Sequence, residues 1–183
     1  MHAPRLLPAV LLLLNGSVRS DEPSRVDVQV QALVRLLRVE PIVEGTVRYN
    51  FLHNPRMQSL PESVRTCAAN ADLSFINDIY AGVVKETLTP AEIAAAVRYF
   101  RSHAGYIGIM LSIRQGRANL DAPELLREVD AAGEPSAEEL RKIGEYVRSP
   151  LAGKFRQIDL KARGELLPSI GTPKLMAQCA PKS

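Results

Sequence analysis

Apolar residues recur every three or four positions through most of the chain, a spacing that places them on one face of an α-helix. The first such stretch follows Ser24 and Asp27, which have the spacing of a helix N-cap. Its apolar positions are Val26, Val30, Leu33, Val34 and Leu37. We therefore predict a helix that Pro41 ends, and then a loop with one short helix as far as Pro61.

A second helical stretch is predicted from Val64 to Thr87, and the segment after it occurs twice in the chain. Residues 88–105 and residues 135–153 carry the same pattern, offset by 47 positions. The matched pairs are Thr89 with Ser136, Glu92 with Glu139, Tyr99 with Tyr146, Arg101 with Arg148 and Ser102 with Ser149. We infer that the fold contains a duplicated helical unit.

Each copy opens with the pattern of a capping box. In this motif the hydroxyl of the first residue accepts a hydrogen bond from the backbone amide three residues later, and the glutamate at that later position accepts one from the amide of the first residue. The first copy continues with apolar residues at alternating steps of four and three, and Gly116 is a natural stop. These residues are Ile93, Val97, Phe100, Ala104, Ile107 and Leu111. Between the copies, Asp121 and Glu124 predict a further capping box at the start of a short helix.

The second copy is expected to bury Leu140, Ile143, Val147 and Leu151. Pro150 interrupts it, so its helix either kinks there or ends and restarts with Ser149 as a new cap. By the repeat relation, Ser102 and His103 mark a milder bend in the first copy. The proline-containing tail from Gly164 is expected to run irregularly over the surface.

These elements predict an all-α fold, with one helical domain over residues 21–183 that is built from about six helices around the duplicated unit. The 183 residues are 46% hydrophobic and 23% charged, which is the composition of a globular domain. Cys67 and Cys179 are an even pair and predict one disulfide that pins the tail to an early helix. Two unpaired thiols are the alternative.

Residues 1–20 have the pattern of a secretory signal peptide. Arg5 supplies a positive start, an apolar run extends from Leu6 to Leu14, and small residues precede a cut after Ser20. We therefore expect a periplasmic or secreted protein. Loss of Arg5 and Arg19 lowers the formal net charge from +3 to +1, so we expect no nucleic-acid partner.

The repeated pattern resembles an uncharacterised domain family of exported bacterial proteins, whose signature is an acidic capping start, an aromatic pair and Ser-Pro-x-Gly. The resemblance covers about residues 70–165. The matching positions are Glu92-Ile93, Tyr99-Phe100, Ser102 and Gly105, and then Ser149-Pro150-Leu151-Ala152-Gly153, where one residue is inserted before the glycine. The resemblance implies an all-helical periplasmic protein and brings no catalytic residues.

The sequence suggests no catalytic residue, metal site or cofactor. His53 and His103 are the histidines of the mature chain, and their spacing matches no zinc motif. Acidic pairs such as Glu138 with Glu139 are candidates for acid and base chemistry on a glycan. Both lie in the first turn of a predicted helix, where the exposed backbone amides stabilise a negative charge. We therefore expect these carboxylates to cap the helix.

The binding surface that we predict consists of equivalent residues of the two copies, Tyr99 with Tyr146 and Arg101 with Arg148. The tyrosines are expected either to line a groove between the units or to form the margin of a core. A peripheral membrane contact is not expected, because the other basic residues lie on two sides of one helix. These residues are Lys154, Lys161, Arg156 and Arg163.

From these features we expect a non-enzymatic protein that binds another envelope or periplasmic protein, for example as an immunity-type inhibitor. One alternative is an envelope hydrolase that acts on cell-wall material with its carboxylates. The other is a carrier that holds a small apolar ligand between the two units.

Overall fold

The computed structural model describes residues 24–180, and all regular structure in that part of the chain is helical. The α-helices are α1 (Arg25–Leu36), α2 (Val39–His53), α3 (Glu62–Ala69), α4 (Phe75–Thr87), α5 (Pro90–Arg101), α6 (His103–Gly116), α7 (Pro123–Ala131), α8 (Ala137–Val147), α9 (Pro150–Asp159) and α10 (Thr172–Cys179). Short 3₁₀ turns cover Pro55–Met57 and Arg117–Asn119, and a π-helical segment covers Leu160–Gly171. The all-α class is confirmed, whereas the expected count of about six helices is too low. The predicted signal peptide lies outside the described residues.

Pro41 does not end the first helix, contrary to the prediction. Arg38 adopts a left-handed conformation with φ 55°, which ends α1 and redirects the chain into α2. Pro41 then falls in the first turn of α2, where an amide has no partner within the helix and a proline costs little. Most of the segment predicted to be a loop before Pro61 is therefore α2, a helix of 15 residues.

The C-terminal part is regular rather than irregular. Its π-helical segment contains Pro168 and leads directly into α10. Cys179 of α10 forms a disulfide with Cys67 of α3, with the two Cα atoms 5.6 Å apart. Beside it, the Gln178 side chain exchanges two hydrogen bonds with the backbone of Asp72. The predicted disulfide is confirmed, and it fixes the end of the described chain to α3.

The two copies of the repeat are the helix pairs α5–α6 and α8–α9. The capping boxes at Thr89 and Ser136 both form, as does the one at Ser24. Each pair is broken at a serine with nearly the same backbone angles, φ −71° and ψ 157° at Ser102, φ −73° and ψ 152° at Ser149. Both serine hydroxyls accept a hydrogen bond from the backbone amide three residues later. The helices therefore end and restart at both sites, and the milder bend expected at Ser102 is wrong.

The capping box predicted at Asp121 does not form, because Asp121 is held by the neighbouring α2. Its amide donates to the Gly45 carbonyl at 3.0 Å, and its carboxylate lies 3.6 Å from Nε2 of His53. Helix α7 consequently begins after Ala122 without a side-chain cap. Long-range contacts have replaced the local one.

The main core is formed by α1, α2, α4 and α5 and is closed by Ile158, Ala162 and Leu175 from the C-terminal part. A smaller cluster joins α6 to α7 through Met110 and Val129. Helix α8 contacts α6 and α9 and has no buried residue along its described length.

Two of the core positions predicted for the second copy are wrong. Leu140 is 50% exposed and Val147 is 53% exposed. Helix α8 packs on one side only, so the face that carries these two residues remains at the surface. Ile143 and Leu151 are half-buried.

Candidate functional site

A cavity of about 330 Å³ lies between the two copies of the repeat. Its apolar walls come from Leu37, which directly follows α1, from α2 and from both copies. The apolar lining includes Val39 and Ile42, Phe100, Ile109 and Ile113 of the first copy, and Ile143, Phe155 and Ile158 of the second copy and its continuation. A shallower surface groove, of about 490 Å³, adjoins the cavity and shares Tyr146 and Phe155 with it. The volume of the cavity falls within the range of about 300–1,000 Å³ that is typical of small-molecule sites.

The two equivalent tyrosines meet at this cavity. The rings of Tyr99 and Tyr146 stack with centroids 4.0 Å apart and planes inclined by 10°. Phe100 meets Tyr146 edge-on at 5.3 Å and Phe155 at 5.4 Å. Stacked and edge-on arrangements are electrostatically favourable for aromatic rings and hold the four side chains in fixed positions. Equivalent residues of the two copies are therefore in direct contact at the cavity.

The hydroxyls of Tyr99 and Tyr146 are buried and have no hydrogen-bond partner among the described residues. Both tyrosines line the cavity. Burial raises the pKa of both hydroxyls, so each stays a neutral donor at physiological pH.

Tyr80, Asp159 and Arg163 form a polar cluster on the otherwise largely apolar wall. The Tyr80 hydroxyl donates to Oδ1 of Asp159 at 2.9 Å, and Nε of Arg163 lies 2.6 Å from the same oxygen. Nε of Arg163 also donates to the Tyr80 hydroxyl at 2.9 Å. Burial raises the pKa of Tyr80 to about 12, so its phenol remains protonated. The cluster is internally satisfied through Nε, and the two Nη groups of Arg163 have no protein acceptor within residues 24–180.

An ion pair and a histidine contact connect each copy to the capping carboxylate of the other. Nζ of Lys154 in α9 donates to both oxygens of Glu92 at 2.7 and 2.8 Å. In the opposite direction, Nε2 of His103 in α6 lies 2.8 Å from Oε1 of Glu139. The Lys154 ammonium, together with the Thr89 amide and hydroxyl, lowers the pKa of Glu92 to about 2. These two glutamates therefore serve as caps and as cross-links between the copies.

Of the four predicted binding residues, the structure brings together Tyr99 and Tyr146 at the cavity. Arg101 and Arg148 are both exposed and do not line it. The basic residues considered as a lipid-facing surface are mostly paired: Lys154 with Glu92, Lys161 with Glu86 and Arg163 with Asp159. The predicted binding surface is thus divided between the cavity wall and the solvent-exposed surface.

The cluster of Tyr80, Asp159 and Arg163 was not found by sequence reasoning. Asp159 and Arg163 lie four residues apart, a spacing that favours an ion pair on a helix and was the available signal. Tyr80 precedes them by about eighty positions, and nothing local connects it with them.

Three other features were considered in the described part of the chain: a metal site, the acidic pair of α8 and a membrane-crossing helix. Within residues 24–180, no three His, Cys, Asp or Glu side chains are grouped so as to hold a metal ion. Glu138 is engaged by Arg141 and Lys142, and Glu139 caps α8. Among the helices described, none has both the length and the hydropathy that a membrane crossing requires.

Comparison of the chain with protein-family models, with curated proteins and with solved structures finds no significant match. What the protein binds must therefore be inferred from the geometry of its own residues.

Proposed function

We propose that the protein is a non-enzymatic binding protein that holds a small, largely apolar molecule in the cavity between its two helical units. The observation that supports this most is the largely apolar space of about 330 Å³ between the two units, with the charged side chains of Asp159 and Arg163 in its wall. An apolar pocket with a few polar groups that converge on it is the usual form of a small-molecule site. For this reason we propose the carrier alternative from the sequence first and the protein-binding one second.

The amount of free space sets the size of the molecule. At about 30 Å³ for each water-sized group, 330 Å³ accommodates about eleven non-hydrogen atoms. This is the size of a medium-chain aliphatic molecule or of a single ring with a short substituent. A membrane phospholipid is too large to enter completely.

Gly108 in α6 offers a way to fill the cavity without distorting the backbone. A Cβ atom there would lie 3.6 Å from Cγ1 of Ile143 and 3.7 Å from the Tyr99 hydroxyl, both ordinary contacts. The rest of a leucine side chain would then occupy space that a ligand needs. At Gly82, in α4, a Cβ atom meets nothing within 4 Å, so Gly82→Leu is the matched control.

The test is native mass spectrometry of the protein purified from its own host without organic solvent. We expect the wild type and Gly82→Leu to carry a bound small molecule, and Gly108→Leu to emerge empty while its circular dichroism stays helical. Equal occupancy of the two variants would place the molecule elsewhere. A wild-type protein that is empty, and that takes up neither a neutral nor a charged eight-carbon probe, would overturn the proposal.

Binding of another envelope protein is a second proposal, favoured by the exposed apolar side chains of Leu140 and Val147 on α8. Arg148 extends the same surface at the end of this helix. Leu140 does not line the cavity, so Leu140→Gln would weaken such an association and leave ligand binding in the cavity unchanged. This variant therefore separates the two proposals.

A further inference from the structure

The arginine at the edge of the cavity is positioned in advance. Nε of Arg163 is fixed by Asp159 and by Tyr80, which is itself only 3% exposed. A guanidinium has five N–H donors, so the four on the two Nη atoms remain for a further acceptor, since residues 24–180 provide none for them. Their planar fork matches the two oxygens of a carboxylate.

The charges around the site add up to a small positive excess. The ionisable acidic and basic residues that line the cavity and the adjoining groove are Asp159, Arg163 and Arg156. One negative and two positive side chains leave a net charge of +1, which one anionic group would neutralise. The excess comes from Arg156, which lines the groove and not the cavity, so the neutralising group belongs at the edge that the two spaces share.

The location of Arg163 indicates how a ligand is oriented. Its side chain is 45% exposed, so it lies at the mouth of the cavity, whereas the remaining walls are mostly apolar. A charged group at the mouth keeps part of its hydration, while a hydrocarbon inside loses only its contact with water. The arrangement favours an amphiphile whose tail enters first.

We infer that the ligand is a medium-chain monocarboxylate, with its carboxylate on the Nη groups of Arg163 and its hydrocarbon chain between the two helical units. This inference rests on the proposed function, because it names the chemical class of the molecule in the same cavity. With the head group at the mouth and about eleven atoms of space inside, chains of about eight to ten carbons fit.

The test compares octanoate with 1-octanol, which has the same chain and no charge, by isothermal titration calorimetry on the purified protein with its disulfide formed. The variants are Arg163→Gln, Arg163→Lys and, as the matched control, Arg98→Gln, which removes an exposed arginine that does not line the cavity. We expect Arg163→Gln to weaken octanoate about tenfold or more, since it removes a charge-assisted pair, and to leave octanol unchanged. The octanoate affinity of Arg163→Lys should lie between those of the wild type and Arg163→Gln, because lysine keeps the positive charge and lacks the planar pair of donors.

The outcomes distinguish the inference from the proposal on which it rests. If octanol and octanoate bind the wild type equally and Arg163→Gln changes neither, carboxylate recognition is overturned while the binding function stands. Equal loss of both probes in Arg163→Gln would also overturn it, because Arg163 would then act by holding the cavity together. Failure of both probes to bind a wild type that native mass spectrometry shows to be empty would overturn the binding function itself.

Discussion

Gly45 and Gly82 both lie inside helices, yet a methyl group should have opposite effects at the two positions. At Gly45 a Cβ atom would come within 2.6 Å of Cδ1 of Leu120 and 2.7 Å of Cβ of Ala122. The hydrogen bond from the Asp121 amide to the Gly45 carbonyl holds these neighbours in place. Gly45 is therefore where α2 and the start of α7 can approach closely.

We expect Gly45→Ala to lower the free energy of unfolding by roughly 1–3 kcal/mol, because the overpacked atoms cannot move away freely. Gly82→Ala should raise it by roughly 0.5–1 kcal/mol, because alanine loses less backbone entropy in an open helical position. Urea denaturation of both variants measures the two values. A change of the same sign in both would contradict the packing described between α2 and α7.

At the residue scale, the sequence allowed prediction of pairs that repeat or that have few alternatives. Cys67 and Cys179 had only each other, and Tyr99 and Tyr146 stood out because the repeat placed them at equivalent positions. The contact of Tyr80 with Asp159 and Arg163 spans about eighty residues and has no local signature. Its assembly depends on the packing of α4 against α9 and the π-helical segment, which periodicity does not specify.

At the scale of elements, the capping boxes were predictable because their signal is local. Those at Thr89 and Ser136 form as predicted, and Ser24, predicted as a helix cap, forms a capping box with Asp27. The one at Asp121 does not, because α2 provides that residue with long-range partners. In the same way, the apolar spacing of α8 indicates a helix correctly but does not reveal that Leu140 and Val147 lack a facing neighbour.

Glu92 links two elements, because it caps α5 through Thr89 and binds Lys154 of α9. Its pKa is lowered from 4.5 to about 2, so folding favours the ionised form. The stability that this carboxylate contributes is fully present above pH 4.5 and is lost as the pH falls towards 2, where protonation removes the charge.

We expect the difference in unfolding free energy between the wild type and Glu92→Gln to be constant above about pH 5 and to shrink as the pH falls through 4.5 towards 2. Urea denaturation at a series of pH values measures it. The matched control is Glu124→Gln, which removes a carboxylate whose side chain is 92% exposed. If the difference in unfolding free energy between the wild type and Glu92→Gln does not depend on pH, the interactions of Glu92 with Thr89 and Lys154 do not stabilise its ionised form.

For the whole molecule, the hydrophobic pattern sufficed for the all-α class but not for the number of helices. Breaks between helices depend on single residues such as Arg38, whose left-handed conformation no pattern indicates. The C-terminal prolines and glycines suggested an irregular tail, yet Ala162 and Leu175 are buried in the main core and keep that part regular. Tertiary burial has overridden local propensity there.

The disulfide between Cys67 and Cys179 joins positions 112 residues apart and so constrains most of the described chain. In the chain-entropy model, a loop of this length contributes about 4–5 kcal/mol to the free energy of unfolding. We expect the double variant Cys67→Ser with Cys179→Ser to unfold at a correspondingly lower urea concentration. The hydrogen bonds between Gln178 and Asp72 should keep α10 in place in its folded state.

A reducing agent serves as the control, because it should destabilise the wild type to the level of the double variant and leave the variant itself unchanged. Equal stability of the oxidised wild type and the double variant would show that the C-terminal helix is held by its packing alone.

In a symmetric homodimer, a single substitution changes both walls of a site on the two-fold axis. Here the two walls are encoded separately, at Tyr99 and at Tyr146, so each can change while the other stays. The two walls already differ, because the polar cluster around Arg163 lies on one side alone. A duplicated unit within one chain can therefore recognise a molecule that has two different ends.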